Sequence, residues 1–233
     1  MNETMHQRKG LNTLSEIRTI RVTGKGKIKV KPDMTRITLT LEGTYPEYDE
    51  TLRRSSESTD QMKDLLSNFG FERSDLKTLN FSVDTDYESY RENGEYKQRF
   101  IGYKFRHILK VEFDSDNKRL GKILFGLAHC PRHPEFRISY TVKDAEAAKN
   151  ELLGKAVKDA KEKAAVLTQA AEVNLKDILS IDYSWGEIDF EVSPMNKMML
   201  CESCSAPDDS YDLDIEPDDI DISDTVTVVW EIE

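Results

Sequence analysis

The alternation of basic and apolar residues between positions 20 and 33 constrains the fold more than any other stretch of this chain. Apolar residues or glycine recur at every second position, and lysines occupy positions 25, 27, 29 and 31 between them. This pattern predicts an amphipathic β-strand with one wet face and a bulge at Gly24 and Gly26. The next stretch alternates again, so Pro32-Asp33 is interpreted as the turn of a hairpin between two strands.

From the first strand onward, the chain shows strand and helix patterns in the order ββαββαβαββ, which indicates an α+β fold with an antiparallel or mixed sheet covered by helices. Helical spacing predicts a helix at about 49–69 that ends at Gly70, and a long alanine-rich helix at about 145–171. Asn93-Gly94 is a strong β-hairpin turn signal. A helix follows each of the first two strand pairs, which suggests duplicated ββα units.

Charge and apolar content exclude several classes of protein. The net charge of -11 and the pI near 5.0 disfavour binding to nucleic acid or to anionic lipid. No stretch approaches about 20 apolar residues, so membrane insertion is not expected. The first 19 residues lack the apolar centre of a secretory signal, and the three cysteines suit a reducing compartment. We therefore predict a cytoplasmic protein.

The same patterns predict how the chain is divided. Positions 1–16 carry no periodic apolar pattern and are interpreted as a flexible segment. Positions 17–233 are interpreted as a single domain, large enough to bury its own core. Within that domain, positions 186–224 form a long acidic segment that contains methionine and cysteine, and this segment is predicted to be a loop.

Two nearby cysteines are the candidate for metal or redox chemistry. Cys201 and Cys204 have the spacing that lets two thiolates bind one soft metal ion or form a redox disulfide. A tetrahedral site needs about four ligands, and His129, Cys130 and His133 supply the rest if the two segments meet in space. Ordinary loop cysteines are the other interpretation. No cofactor is expected, and zinc is the alternative.

Three groups of residues are candidates for contacts within or between subunits. One is the lysine row of the first strand, and the second is an apolar cluster of methionines, a residue type that suits adaptable contact surfaces. Burial against the chain's own sheet is the other interpretation of this cluster. The third is an acidic run that lacks the glycine and terminal glutamate of a calcium-binding EF-hand loop, and a solvated acidic loop is its other interpretation. Docking of the acidic run on the lysine row predicts an assembly that weakens with salt. The residues are Lys25, Lys27, Lys29, Lys31, Met195, Met198, Met199, Asp208, Asp209, Asp218 and Asp219.

Several short motifs occur in an order that resembles a known family. They are the Val22-Thr23-Gly24-Lys25-Gly26 strand, Pro32-Asp33, the segment from Gly70 to Thr78, Gly102-Tyr103, Ala156-Val157-Lys158-Asp159-Ala160 and Val226-Thr227-Val228. Together they resemble the SIMPL domain family over residues 17 to 233. The resemblance implies an α+β fold, ring-like or channel-like homo-oligomers in bacterial members, and a link to oxidative stress. It implies no catalytic residues.

The sequence favours an interaction protein over an enzyme. It contains no G-x-S-x-G, H-E-x-x-H or dinucleotide-binding motif, and the glycines near Lys25 have the wrong spacing for a phosphate loop. His107 lies on the apolar face of a strand and is interpreted as a core histidine. We predict a self-assembling scaffold or interaction module that forms homo-oligomers or binds a protein partner. The alternatives are a metal-binding or thiol-redox protein that uses Cys201 and Cys204, and a protein that binds a small molecule between helices and sheet.

Overall fold

The computed structural model describes residues 17–183, 190–193 and 215–233. The fold is α+β with two antiparallel sheets, which confirms the predicted class. The helices are α1 (Tyr48–Ser67), α2 (Asn117–Ala128) and α3 (Ala145–Ala170). The strands are β1 (Thr19–Val30), β2 (Met34–Tyr45), β3 (Lys77–Glu92), β4 (Glu95–Asp114), β5 (Glu135–Thr141), β6 (Leu175–Asp182), β7 (Glu191–Val192) and β8 (Ile220–Ile232).

The described residues form two compact units. Within the described ranges, the first unit consists of residues 17–28, 146–183 and 221–233, and the second of residues 29–145, 190–193 and 215–220. Each unit contains its own sheet and its own cluster of buried apolar residues. The single domain over residues 17–233 stays a prediction.

The first unit is a three-stranded sheet packed against α3. Its strand order is β1-β8-β6. The buried residues of α3 recur every four positions and are mostly alanine, so the helix axis can come close to the strands. The core of this unit consists of Val22, Ala156, Ala160, Ala164, Val226, Val228 and Trp230.

α3 lies directly against the backbone of β1 at two glycines. A Cβ atom at Gly24 would lie 2.0 Å from the Ala156 carbonyl oxygen, and one at Gly26 would lie 2.2 Å from the Leu152 carbonyl oxygen. Both glycines are buried, and the alternation continues through them from Val22 to Ile28. The expected bulge is therefore not needed, because the glycines occupy regular positions on the helix-facing side of the strand.

The second unit is a five-stranded sheet in the order β3-β4-β2-β5-β7. β2 is central and pairs antiparallel with both β4 and β5. Alternate residues of these strands point into a core that α1 and α2 complete. The largest fully buried side chains of this core are those of Ile37, Leu39, Met62, Leu66, Phe105, Leu109, Leu120, Ile123, Leu127 and Tyr140.

The predicted hairpin between β1 and β2 is wrong, because the two strands belong to different sheets. Both favoured types of two-residue hairpin turn require a positive φ at the first turn residue, and the ring of Pro32 holds φ near -65°. Asp33 instead donates its backbone N–H to the Thr141 carbonyl at 3.2 Å and accepts the Ser115 N–H at 2.9 Å. The first of the suggested duplicated ββα units is therefore not a paired unit.

Most of the other predicted elements are confirmed. The helices at 49–69 and 145–171 correspond to α1 and α3 within two residues at each end. Asn93 and Gly94 have φ values of 52° and 89° and form the turn between β3 and β4. The predicted loop at 186–224 differs, since β7 lies within it and β8 begins at Ile220. Two-residue β7 leaves no periodic pattern that sequence reasoning could detect.

We predict that Gly24→Ala destabilises the protein by about 3 kcal/mol, because the added methyl group would overlap backbone atoms of α3 that cannot move aside. Gly154→Ala is the matched control, since a Cβ atom at this exposed position of α3 meets nothing within 4 Å. The control should stabilise the helix by about 0.5 to 1 kcal/mol. Urea unfolding of the two variants measures both effects, and equal midpoints would contradict the prediction.

Candidate functional site

The loop between α2 and β5 carries three of the predicted metal ligands. His129 donates from Nδ1 to the Phe125 carbonyl at 2.8 Å, and the two aromatic rings lie 4.1 Å apart. Cys130 is buried, and its carbonyl accepts the His133 N–H at 3.0 Å. His133 has a positive φ of 42°. These contacts end α2 and turn the chain towards β5.

The structure does not bring the full set of predicted ligands together. Cys201 and Cys204 lie outside the described residues. Within residues 17–183, 190–193 and 215–233, no group of three or more His, Cys, Asp or Glu side chains is placed to hold a metal ion. The zinc site and the thiol-redox pair stay predictions.

An open depression of about 720 Å³ lies beside the same loop. It is bounded by α1 and α2, and Arg132 donates from Nε to the Gln61 side-chain oxygen at 3.0 Å on its wall. The depression therefore lies at a different position from the predicted cavity between helices and sheet. Binding of a small molecule in such a cavity stays a prediction. The lining residues are Gln61, Leu65, Gly126, His129, Cys130, Pro131 and Arg132.

Only some of the predicted contact residues lie in the described ranges. Lys25, Lys27, Lys29 and Lys31 are exposed, as the alternation predicted. Asp218 and Asp219 are exposed just before β8, and the Asp219 N–H donates to the Asp218 carboxylate at 2.8 Å. The other candidates, Met195, Met198, Met199, Asp208 and Asp209, lie outside the described residues. Docking of the acidic run on the lysine row stays a prediction.

His107 is a core histidine, as predicted, and its hydrogen bonds define its tautomer. Thr59 donates its hydroxyl proton to the Ser55 carbonyl, so its oxygen accepts from Nδ1 of His107 at 3.0 Å. Nε2 is then unprotonated and accepts from the Thr78 hydroxyl at 2.9 Å. Burial, together with the charge of Lys63, lowers the pKa of His107 below its ordinary value of 6.5. The neutral imidazole thus connects α1, β4 and β3.

The β3–β4 hairpin extends beyond the rest of its sheet. β2 pairs with β4 as far as Tyr45 opposite Tyr103, whereas β3 pairs with β4 as far as Glu92 opposite Glu95. Gly102 marks the departure of β2, because a Cβ atom there would lie 2.2 Å from the Tyr45 carbonyl oxygen. Within the described part of the chain, residues 87–100 are therefore a two-stranded ribbon, which we call the arm.

The two faces of the arm differ in chemistry. Cross-strand pairs place side chains on the same face, so the observed register assigns each residue to one side. The aromatic face carries Tyr87, Ser89, Arg91, Tyr96, Gln98 and Phe100, and the charged face carries Glu88, Tyr90, Glu92, Glu95, Lys97 and Arg99. On the charged face, Arg99 pairs with Glu88 at 2.5 Å and Lys97 pairs with Glu92 at 2.6 Å. The charges of this face are thus largely satisfied within the arm.

The aromatic face is continuous with a row of rings that reaches α1. Edge-to-face contacts connect Tyr48 to Tyr103, Tyr103 to Phe100 and Phe100 to Tyr87, with centroid distances of 5.2, 5.4 and 5.7 Å. Tyr87 is 52% exposed, Phe100 is 45% exposed, and Tyr96 at the tip is 82% exposed. Sequence reasoning found the turn of this hairpin but missed the aromatic face, although four aromatic residues flank the turn within positions 87–100.

The structure therefore defines an α+β protein whose most distinctive described surface is the exposed, two-stranded arm. The chain belongs to the SIMPL family, described as protein of unknown function (DUF541), whose family model matches residues 20–230. This confirms the resemblance inferred from the motifs. No curated protein matches the chain. In the described ranges, no helix is long and apolar enough to cross a membrane.

We predict that His107 makes the protein less stable as the pH falls. The unfolded chain takes up a proton at this residue near its ordinary pKa of 6.5, whereas the folded chain resists protonation until a lower pH. Folding stability is therefore lost from about pH 7 downward, towards the lowered pKa. His107→Gln, which keeps a polar side chain but cannot titrate, should lose less stability between pH 7 and pH 5. Urea unfolding at both pH values tests this, and equal losses in the two proteins would contradict it.

Proposed function

We propose that this protein is a non-enzymatic, self-assembling scaffold or interaction module. The observation that carries the proposal is the exposed aromatic face of the arm. A two-stranded ribbon is only marginally stable in water, and exposed clusters of large apolar side chains are typical of contact sites. This ribbon exposes Tyr87, Tyr96 and Phe100 on one side. A partner that covers that side would both stabilise the ribbon and remove the rings from water.

Residue composition also supports a contact role. The cores of protein interfaces are enriched in tyrosine, phenylalanine and arginine and depleted of lysine and acidic residues. The aromatic face has this composition, whereas the opposite face of the same ribbon carries most of the charges. Self-assembly also agrees with the homo-oligomers that the family resemblance implies. The cytoplasmic location and the link to oxidative stress stay predictions.

We expect purified protein to sediment with a mass greater than that of one 26.8 kDa chain, and the mass to rise with concentration. Salt provides a second readout. An apolar contact between copies of a chain with net charge -11 should persist or strengthen from about 0.05 to about 0.5 M salt, because salt screens the repulsion between copies. If the acidic run docks on the lysine row, the mass of the assembly should instead fall as the salt concentration rises. Analytical ultracentrifugation measures both, and the mass of a single chain at every concentration would contradict self-assembly.

A further inference from the structure

The arm has no net charge, which favours contact between two copies of the same chain at this surface. Residues 87–100 contain three acidic and three basic side chains, so the whole net charge of -11 is carried by the remainder of the chain. Two copies that approach each other through other surfaces experience this like charge, which opposes association. Contact through the arms involves the least repulsion.

Edge-to-edge pairing of two β3 strands is disfavoured by the pattern of their acidic residues. Two-fold symmetric, antiparallel pairing places residues of the same face opposite each other. On β3, Asp84, Asp86, Glu88 and Glu92 all share one face. Any such register therefore brings acidic side chains close together, which is destabilising. Pairing through the β3 edge is therefore disfavoured, which leaves the free edge of β4 and the two faces of the arm.

Another strand with exposed apolar residues, β6, is a poorer candidate for regular pairing. β6 exposes Ile178, Leu179 and Ile181, each at about half of its surface. However, its register with β8 shifts twice within eight residues. Such irregularities bend a strand and interrupt its free edge, a common protection against pairing with another chain. The arm, in contrast, is regularly paired from Tyr87 to Glu92.

The aromatic face of the arm is complementary to itself. Along this face, Arg91 and Tyr96 form the pair near the tip, Ser89 and Gln98 the middle pair, and Tyr87 and Phe100 the pair at the base. Tyr87 and Arg91 are equally distant from Ser89. A two-fold axis that crosses both strands at the middle pair therefore places Arg91 of each copy opposite Tyr87 and Phe100 of the other. Within its own chain, the Arg91 guanidinium lies 5.9 Å from the centroid of the Tyr96 ring. Cations are attracted to the faces of aromatic rings, and small central residues let the two ribbons come close.

We propose that the aromatic face of the arm binds the same face of a second copy of this chain, in a two-fold arrangement centred on Ser89 and Gln98. This inference rests on the proposed self-assembly and names its contact surface. Arg91 of each copy lies over Tyr87 and Phe100 of the other, and the charged faces point outward into solvent. The two ribbons stack at about 10 Å, the usual separation of packed sheets.

A pair of tyrosine variants tests which face makes the contact. Tyr87→Glu places a charge on the aromatic face, and we expect it to weaken self-association by about 30-fold or more, the effect of losing one central interface residue. Tyr90→Glu is the matched control, because it makes the same change three residues away on the charged face. It should leave association unchanged. Sedimentation velocity measures both variants, with circular dichroism to check that each is folded.

A charge exchange tests the two-fold arrangement itself. Arg91→Glu should weaken association, because it places a carboxylate over aromatic rings. Adding Tyr87→Lys to the same chain should restore association, because the new carboxylate of each copy would then pair with the new ammonium group of the other. Within one chain, positions 87 and 91 are about 13 Å apart along the strand, which is too far for an ion pair. Restoration therefore reports a contact between copies.

The outcomes separate this proposal from the proposed function. If wild-type protein associates but Tyr87→Glu has no effect, or acts no more strongly than Tyr90→Glu, the arm contact is overturned and self-assembly stands. If Tyr87→Glu dissociates the assembly but the charge exchange does not restore it, the two-fold arrangement is overturned. If wild-type protein has the mass of one chain at every concentration, both proposals fail.

Discussion

The unequal lengths of neighbouring strands determine how the second unit divides into core and surface. β4 has 20 residues, whereas β2, which pairs with it on one side, has 12. Where β4 has a partner on both sides, its alternate residues Phe105, Leu109 and Val111 are buried beneath the helices. Beyond Gly102 the described residues pair it with β3 alone, and its apolar residues are exposed. The same strand thus supplies part of the core and an exposed aromatic surface.

In the first unit, the corresponding constraint is a backbone-to-backbone contact. The alanines of α3 and the glycines of β1 remove side-chain volume on both sides of one contact, so that carbonyl oxygens of the helix lie directly against the strand. Asp159 of α3 also accepts the backbone N–H of Lys25 at 2.7 Å, which covers part of the free edge of β1. The glycines that suggest a phosphate loop in the sequence are therefore explained by packing.

Local patterns were predicted well where local chemistry decides the conformation. Asn93-Gly94 forms the expected turn because both residues tolerate a positive φ, and α3 follows directly from its alanine stripe. Pro32-Asp33 was misinterpreted because two successive alternating strands look like a hairpin whether or not they pair with each other. The partners of β1 and β2 lie far away in the sequence, and period-two alternation does not identify the partner of a strand.

The candidate sites, too, combine features that local sequence reveals with features that depend on distant contacts. The neighbouring positions of His129, Cys130 and His133 could be found in the sequence, but whether they share a ligand depends on tertiary contacts. The aromatic face of the arm depends on the register between β3 and β4, which pairs Tyr87 with Phe100 and Arg91 with Tyr96. Each of these residues is unremarkable by itself. Their common face follows from a pairing register that includes an irregularity between Asp86 and Tyr87.

The sequence alone determined the α+β class, the helices, the hairpin turn at Asn93-Gly94 and the family, because side-chain periodicity and turn chemistry are local properties. The tertiary structure decided which strands pair, that they form two sheets, and that residues 87–100 extend beyond β2 with one aromatic face. The physical reason is that strand pairing is a contact between distant segments. Its register and its extent depend on how all the strands fit together around the core.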